Sequence, residues 1–119
     1  MAETKLENLI GKAYEAMNQG KFNKARTFFN LAIKDLHTFS GDDPYYSKRL
    51  DEISLMAINC KIEIRKELLE KVNGFIQTNK IPLILEHYEL IVLLTKEIGD
   101  IENLQKYEEA YLLYENQMV

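Results

Sequence analysis

Few of the 119 residues have side chains suited to bond-making chemistry, and their spacing decides what they could do. His37 and His87 are the only histidines. A zinc hydrolase sets two histidines one helical turn apart as H-E-x-x-H, and a di-iron bundle uses E-x-x-H to put both ligands on one face. Neither spacing occurs here. His87, between Glu86 and Tyr88, has the chemistry of a proton carrier, but a lone helical histidine more commonly packs its ring at a core edge. Phosphate loops need close glycines so that backbone N–H groups can face the anion; the nearest pair, Gly11 and Gly20, lies nine residues apart. Ser40, Ser47 and Ser54 lack a G-x-S-x-G setting. Asp42-Asp43, Asp51-Glu52 and Glu108-Glu109 are adjacent pairs, and adjacent residues on a helix diverge by about 100°. Cys60 has no second cysteine and sits in the apolar run Leu55 to Cys60, which predicts a buried, inert thiol. These residues predict no catalytic centre, no metal and no cofactor.

The elements that must position them read as helices throughout. With 46% hydrophobic and 29% charged residues, five Gly and two Pro, the chain suits one all-α domain over 1–119. Thr4-Lys5-Leu6-Glu7 reads as a capping box, and the spacing after it predicts a helix over 5–18. Phe22, Ala25, Phe29, Ala32 and Leu36 predict a second over 22–39. Asp43 and Pro44 form a start signal. Tyr46, Leu50, Ile53, Ala57, Cys60, Ile64, Leu68, Val72 and Phe75 keep one phase, favouring a single helix over 44–77, with a break near Asn59 as the alternative. A fourth helix is predicted over 82–98, ending at Gly99, and a fifth over 101–117 capped by Asp100. Short connections make neighbours antiparallel, so the expected architecture is about five helices, two hairpins joined by a long third helix.

Charge and hydropathy narrow the partners. The formal charge is −4, and the basic residues between Lys61 and Lys71 alternate with Glu63, Glu67 and Glu70; no nucleic-acid surface is expected. The most apolar stretch, Ile81 to Leu94, is too short to span a bilayer and is interrupted by Glu86, His87 and Glu89. No membrane insertion and a cytoplasmic location are expected. Surplus apolar surface is the informative feature. On the fourth helix Ile84, Tyr88, Ile91, Leu94 and Ile98 share a face, Leu85 and Val92 fall to one side, and Leu93 lands opposite among Glu86, Glu89 and Lys96. Tyr107, Tyr111 and Tyr114 form a ladder on the fifth helix, either a core margin or a groove wall. On the second helix Leu31 falls opposite the core stripe. Leu85, Tyr88, Val92, Leu93, Tyr107, Tyr111, Tyr114 and Leu31 are therefore the candidate partner-binding residues.

Two stretches share offsets. Gly20, Phe22, Ala25, Phe28 and Ala32 sit at 0, 2, 5, 8 and 12, and Gly99, Ile101, Leu104, Tyr107 and Tyr111 repeat them. With Ile10-Gly11-Lys12-Ala13-Tyr14 before it, the first stretch resembles the tetratricopeptide repeat, whose pattern runs L-G-x-x-Y and then G-x-aromatic-x-x-A. Leu9 to Ala13 with Gly20 to Ala25, Phe28-Phe29 and Ala32-Ile33 is also similar to the MIT domain, a three-helix bundle. Either resemblance implies a helical scaffold that binds peptides or protein segments, here an adaptor holding its partner between adjacent helices. The alternative is a homo-oligomer in which the fourth helix pairs with its copy across a two-fold axis. A ligand sensor or enzyme built on His87 and Tyr88 is the third reading.

Overall fold

The computed structural model describes residues 2–38 and 44–118. The protein is all-α, with five helices and no strand among the described residues: α1 Ala2–Asn18, α2 Phe22–Leu36, α3 Pro44–Gln77, α4 Ile81–Ile98 and α5 Ile101–Gln117. Two antiparallel hairpins, α1–α2 and α4–α5, are joined by the long α3. The chain divides into two compact units, Met1–Lys61 and Ile62–Val119, and α3 contributes to both.

In the first unit the hairpin helices approach closely because Ala13 and Ala16 of α1 and Ala25 and Ala32 of α2 are small and buried. Small residues let two axes come together, and larger ones fill the space beside them. Here Phe29 does so, fully buried and meeting Tyr14 edge-on at 5.3 Å. Ile53, Ala57 and Cys60 of α3 complete this core. Burial pushes the Cys60 thiol up, against the opposing charge of Arg26, which fits the inert thiol predicted for it. In the second unit Val72 of α3, Ile84, Tyr88 and Ile91 of α4 and Tyr107 of α5 are buried together.

Most boundaries fall where the periodicity puts them. α3 is unbroken, and Asn59 is an exposed residue inside it. The buried stripe Ile53, Ala57, Cys60 and Ile64 runs past that point in steps of four, three and four, so packing holds the helix through it. Two ends differ. α1 begins at Ala2, so Thr4 lies inside the helix and is not its cap; Ala2 and Glu3 are both good helix formers. α2 ends at Leu36 rather than 39, because the backbone N–H and the hydroxyl of Thr38 both donate back to the Asp35 carbonyl and close a turn there. The Asp43 cap and Phe39 lie outside the described residues.

Three of the connections share one geometry. Gly20, Asn79 and Gly99 sit at φ of 74°, 55° and 83°. Each donates its N–H to the carbonyl three residues back, and the next residue donates to the carbonyl five back: Lys21 to Ala16, Lys80 to Phe75, Asp100 to Thr95. That pair of bonds satisfies the orphan carbonyls of a helix end. An apolar residue, Phe22, Ile81 or Ile101, then opens the next helix. The same motif also introduces α4: counted from Asn79, offsets 5 and 12 fall on Ile84 and Ile91, both fully buried, as are Ala25 and Ala32 counted from Gly20.

Candidate functional site

The α4–α5 turn is held by a cation. Arg65 of α3 donates to the Asp100 carboxylate at 2.9 Å and to the Thr95 hydroxyl at 3.3 Å, and its guanidinium lies 5.8 Å from the Tyr107 ring. Thr95 is fully buried, and its hydroxyl donates a hydrogen bond to the Ile91 carbonyl at 2.7 Å. Asp100 also accepts from the Asn103 amide side chain at 2.7 Å and, more weakly, from its backbone N–H, capping α5 as the sequence predicts. Asn103 first, and Arg65 with it, holds the Asp100 carboxyl below the usual carboxylate range. The sequence gives no sign of this role for Arg65: its neighbours spell a solvated charged face, and nothing links it to a residue 35 positions on.

With the turn fixed, α4 and α5 present a shallow groove of about 330 Å³ lined by Glu89, Val92, Glu108, Tyr111 and Leu112. A second depression of about 510 Å³ on α4, lined by Glu86, Glu89, Leu90, Val92, Leu93 and Lys96, shares Glu89 and Val92 with the first. The two form one band with an apolar floor and a rim of carboxylates. Leu90, Leu93 and Leu112 are 46%, 54% and 54% exposed, more than a core helix leaves in water at three neighbouring sites.

The eight candidate residues separate. Val92 and Tyr111 meet in the groove, and Leu93 joins Val92 in the adjoining depression. Tyr88 and Tyr107 are buried in the core. Tyr114 is half-buried and stacks on Tyr88, centroids 6.1 Å apart and planes 17° from parallel. Of the tyrosine ladder, Tyr107 and Tyr114 thus serve the core and its margin, and only Tyr111 reaches the groove. Leu85 is half-buried on α4. Leu31 is 45% exposed on α2, in the other unit. Glu89, Glu108, Leu90 and Leu112 are groove residues that the sequence does not mark as candidates. A helical projection of α5 sets Glu108 about 60° and Leu112 about 100° to one side of Tyr111, but whether that side faces α4 depends on the hairpin geometry.

Burial raises the Tyr88 hydroxyl, with Tyr114 and Tyr107 adding to it. Tyr111 is raised as well, first by desolvation, then by its hydrogen bond to Glu115 and the charges of Glu115 and Glu89. Its hydroxyl therefore stays protonated as a donor in the physiological range. His87 turns Nδ1 to the Leu83 carbonyl at 2.9 Å and meets Phe75 edge-on at 5.0 Å; because a carbonyl only accepts, Nδ1 carries the proton. Among the described residues no three His, Cys, Asp or Glu side chains are grouped to hold a metal ion, and no helix is long and apolar enough to cross a membrane.

The molecule is thus an all-α protein of two helical hairpins with an open apolar band on the second. Comparison with protein-family models, with curated proteins and with solved structures gives no match.

Proposed function

We propose that this protein is a non-enzymatic interaction module of the helical-hairpin kind, similar in design to tetratricopeptide and MIT adaptors, and that the α4–α5 groove holds a segment of another protein. The observation that carries this reading is the apolar floor on which half-buried Val92 and Tyr111 rise from the core beside exposed Leu90, Leu93 and Leu112. Burying it against a partner gains roughly 25 cal/mol for each Å² of apolar surface withdrawn from water. Helix-in-groove binding lays the apolar face of a partner helix into a hydrophobic groove, and Tyr111 offers a large rigid ring for such a contact.

Self-pairing of α4 across a two-fold axis is the other occupant of this face. Each copy would bring Glu86 and Glu89 with Lys96 as the one cation of that depression, an excess of like charge that costs affinity in a closed interface, so a different partner is favoured.

A photoreactive residue at Leu112, in extract of the source cells, tests the reading. We expect one discrete crosslinked product that disappears when Leu93→Glu is added, while circular dichroism stays unchanged. The same product from a probe at Leu31, or none from Leu112, contradicts it. Light scattering separates the readings: a mass of two chains that falls to one with Leu93→Glu supports self-pairing.

A further inference from the structure

The charge of the chain is not evenly spread. Residues 81–119 hold eight carboxylates and two lysines, whereas the eighty residues before them hold 11 acidic and 13 basic side chains. The net negative charge of the protein therefore belongs to α4, α5 and the turn between them. Within the band, Glu86, Glu89 and Glu108 border the apolar floor, against Lys96 alone. Carboxylates lining a low-dielectric cleft focus their field into it.

The backbone constrains the occupant further. Every N–H and C=O along the middle of α4 and α5 is committed to its own helix, so the surface offers no strand edge. An extended segment docked there would lay unpaired backbone groups on an apolar floor, and each buried group left unsatisfied bears its full desolvation cost. A helix satisfies its own backbone and presents only side chains. From Glu86 to Lys96 the band follows about 15 Å of helix axis, close to three turns.

Resting on the groove as a docking site, we infer that its occupant is a basic amphipathic helix of another protein. Its apolar stripe lies on Val92, Tyr111 and Leu112, and flanking lysines or arginines face Glu89 and Glu108. A second copy of this α4–α5 hairpin fits that chemistry less well, since it brings eight carboxylates and two lysines to a rim that is already acidic. The acidic rim steers and selects while the floor holds, the usual division between charged and apolar parts of an interface.

Three fluorescent helical peptides of about 14 residues test this by anisotropy with the full chain. One combines a leucine stripe with lysines, one the same stripe with glutamates, and one lysines with alanine in place of leucine. The leucine–lysine peptide is expected to bind at least about tenfold more tightly than either of the others, weakening as salt rises. The double variant Glu89→Lys with Glu108→Lys should reverse the preference between lysine and glutamate peptides with its helix content unchanged. Equal or tighter binding of the leucine–glutamate peptide overturns the basic partner while leaving the groove as a docking site. Equal binding of the alanine–lysine peptide overturns the docked helix in favour of bare charge attraction. If none of the three binds, the groove itself is refuted as a docking site.

Discussion

Asn79 and Gly99 occupy the same left-handed position at two helix ends, one with a side chain and one without. A Cβ there crowds the following carbonyl, a strain of about 1–2 kcal/mol that glycine avoids and asparagine partly tolerates. Gly99→Ala is thus expected to destabilise the protein by about 1 kcal/mol, and Asn79→Gly to stabilise it by about 0.5 kcal/mol, both read from urea unfolding. No heavy atom lies near a Cβ built on Gly99, so the loss would come from the backbone alone. Arg65 is the other residue on which the second hairpin turns. Replacing it by methionine removes two charge-assisted bonds and should cost about 1–3 kcal/mol. Its partner fixes a pH dependence. Because the folded carboxyl of Asp100 is held below its ordinary value, its stabilising effect is complete above the ordinary carboxylate range and is lost as pH falls through the folded value. A melting temperature that drops on acidification, and drops less in Asp100→Asn, is the expected result. Identical acid profiles in the two proteins would remove Asp100 from the account.

At the scale of elements, the three equivalent turns explain what the sequence discloses and what it conceals. Gly20 and Gly99 announce two of them, and the apolar offsets that follow are readable from residue types and spacing alone. The third is hidden because Asn79 stands where glycine would, so 78–82 reads as an ordinary connection, and only the φ of 55° reveals the turn. The core stripes of α1, α2 and α3 are legible for a plain reason: each helix buries one face, and burial imposes the 3.6-residue period on the sequence. On α4 the period is blurred, since apolar residues lie on both the core and the open side. The periodicity of α4 alone places Leu93 opposite the core; Glu108 and Leu112 escape it, because their position depends on how α5 packs against α4. The close approach of α1 and α2 yields a prediction at this scale. Ala32 is fully buried between them, and Ala32→Leu forces several extra heavy atoms into a packed site. A loss of about 1–3 kcal/mol is expected from denaturant unfolding, whereas Leu31→Ala, one residue away and exposed, should change stability by less than about 0.5 kcal/mol.

For the whole molecule, composition and function meet in the uneven distribution of apolar and acidic residues. The first hairpin encloses Leu6, Ile10, Phe29 and Leu36 almost completely. The second leaves Leu90, Leu93 and Leu112 in water and surrounds them with carboxylates. On the proposed reading a partner covers this band, and the acidic residues around it keep the unoccupied surface from associating with itself. The motif pattern of residues 9–33 lies in the other hairpin, so the groove is not visible through it. The most direct measurement of the central claim is an amide chemical-shift titration of the isotope-labelled full chain with the leucine–lysine helix. Shifts concentrated on Glu89, Val92, Glu108, Tyr111 and Leu112, saturating together, are the predicted result. Shifts that centre on α1 and α2, or that scatter over every acidic residue without saturating, would contradict it.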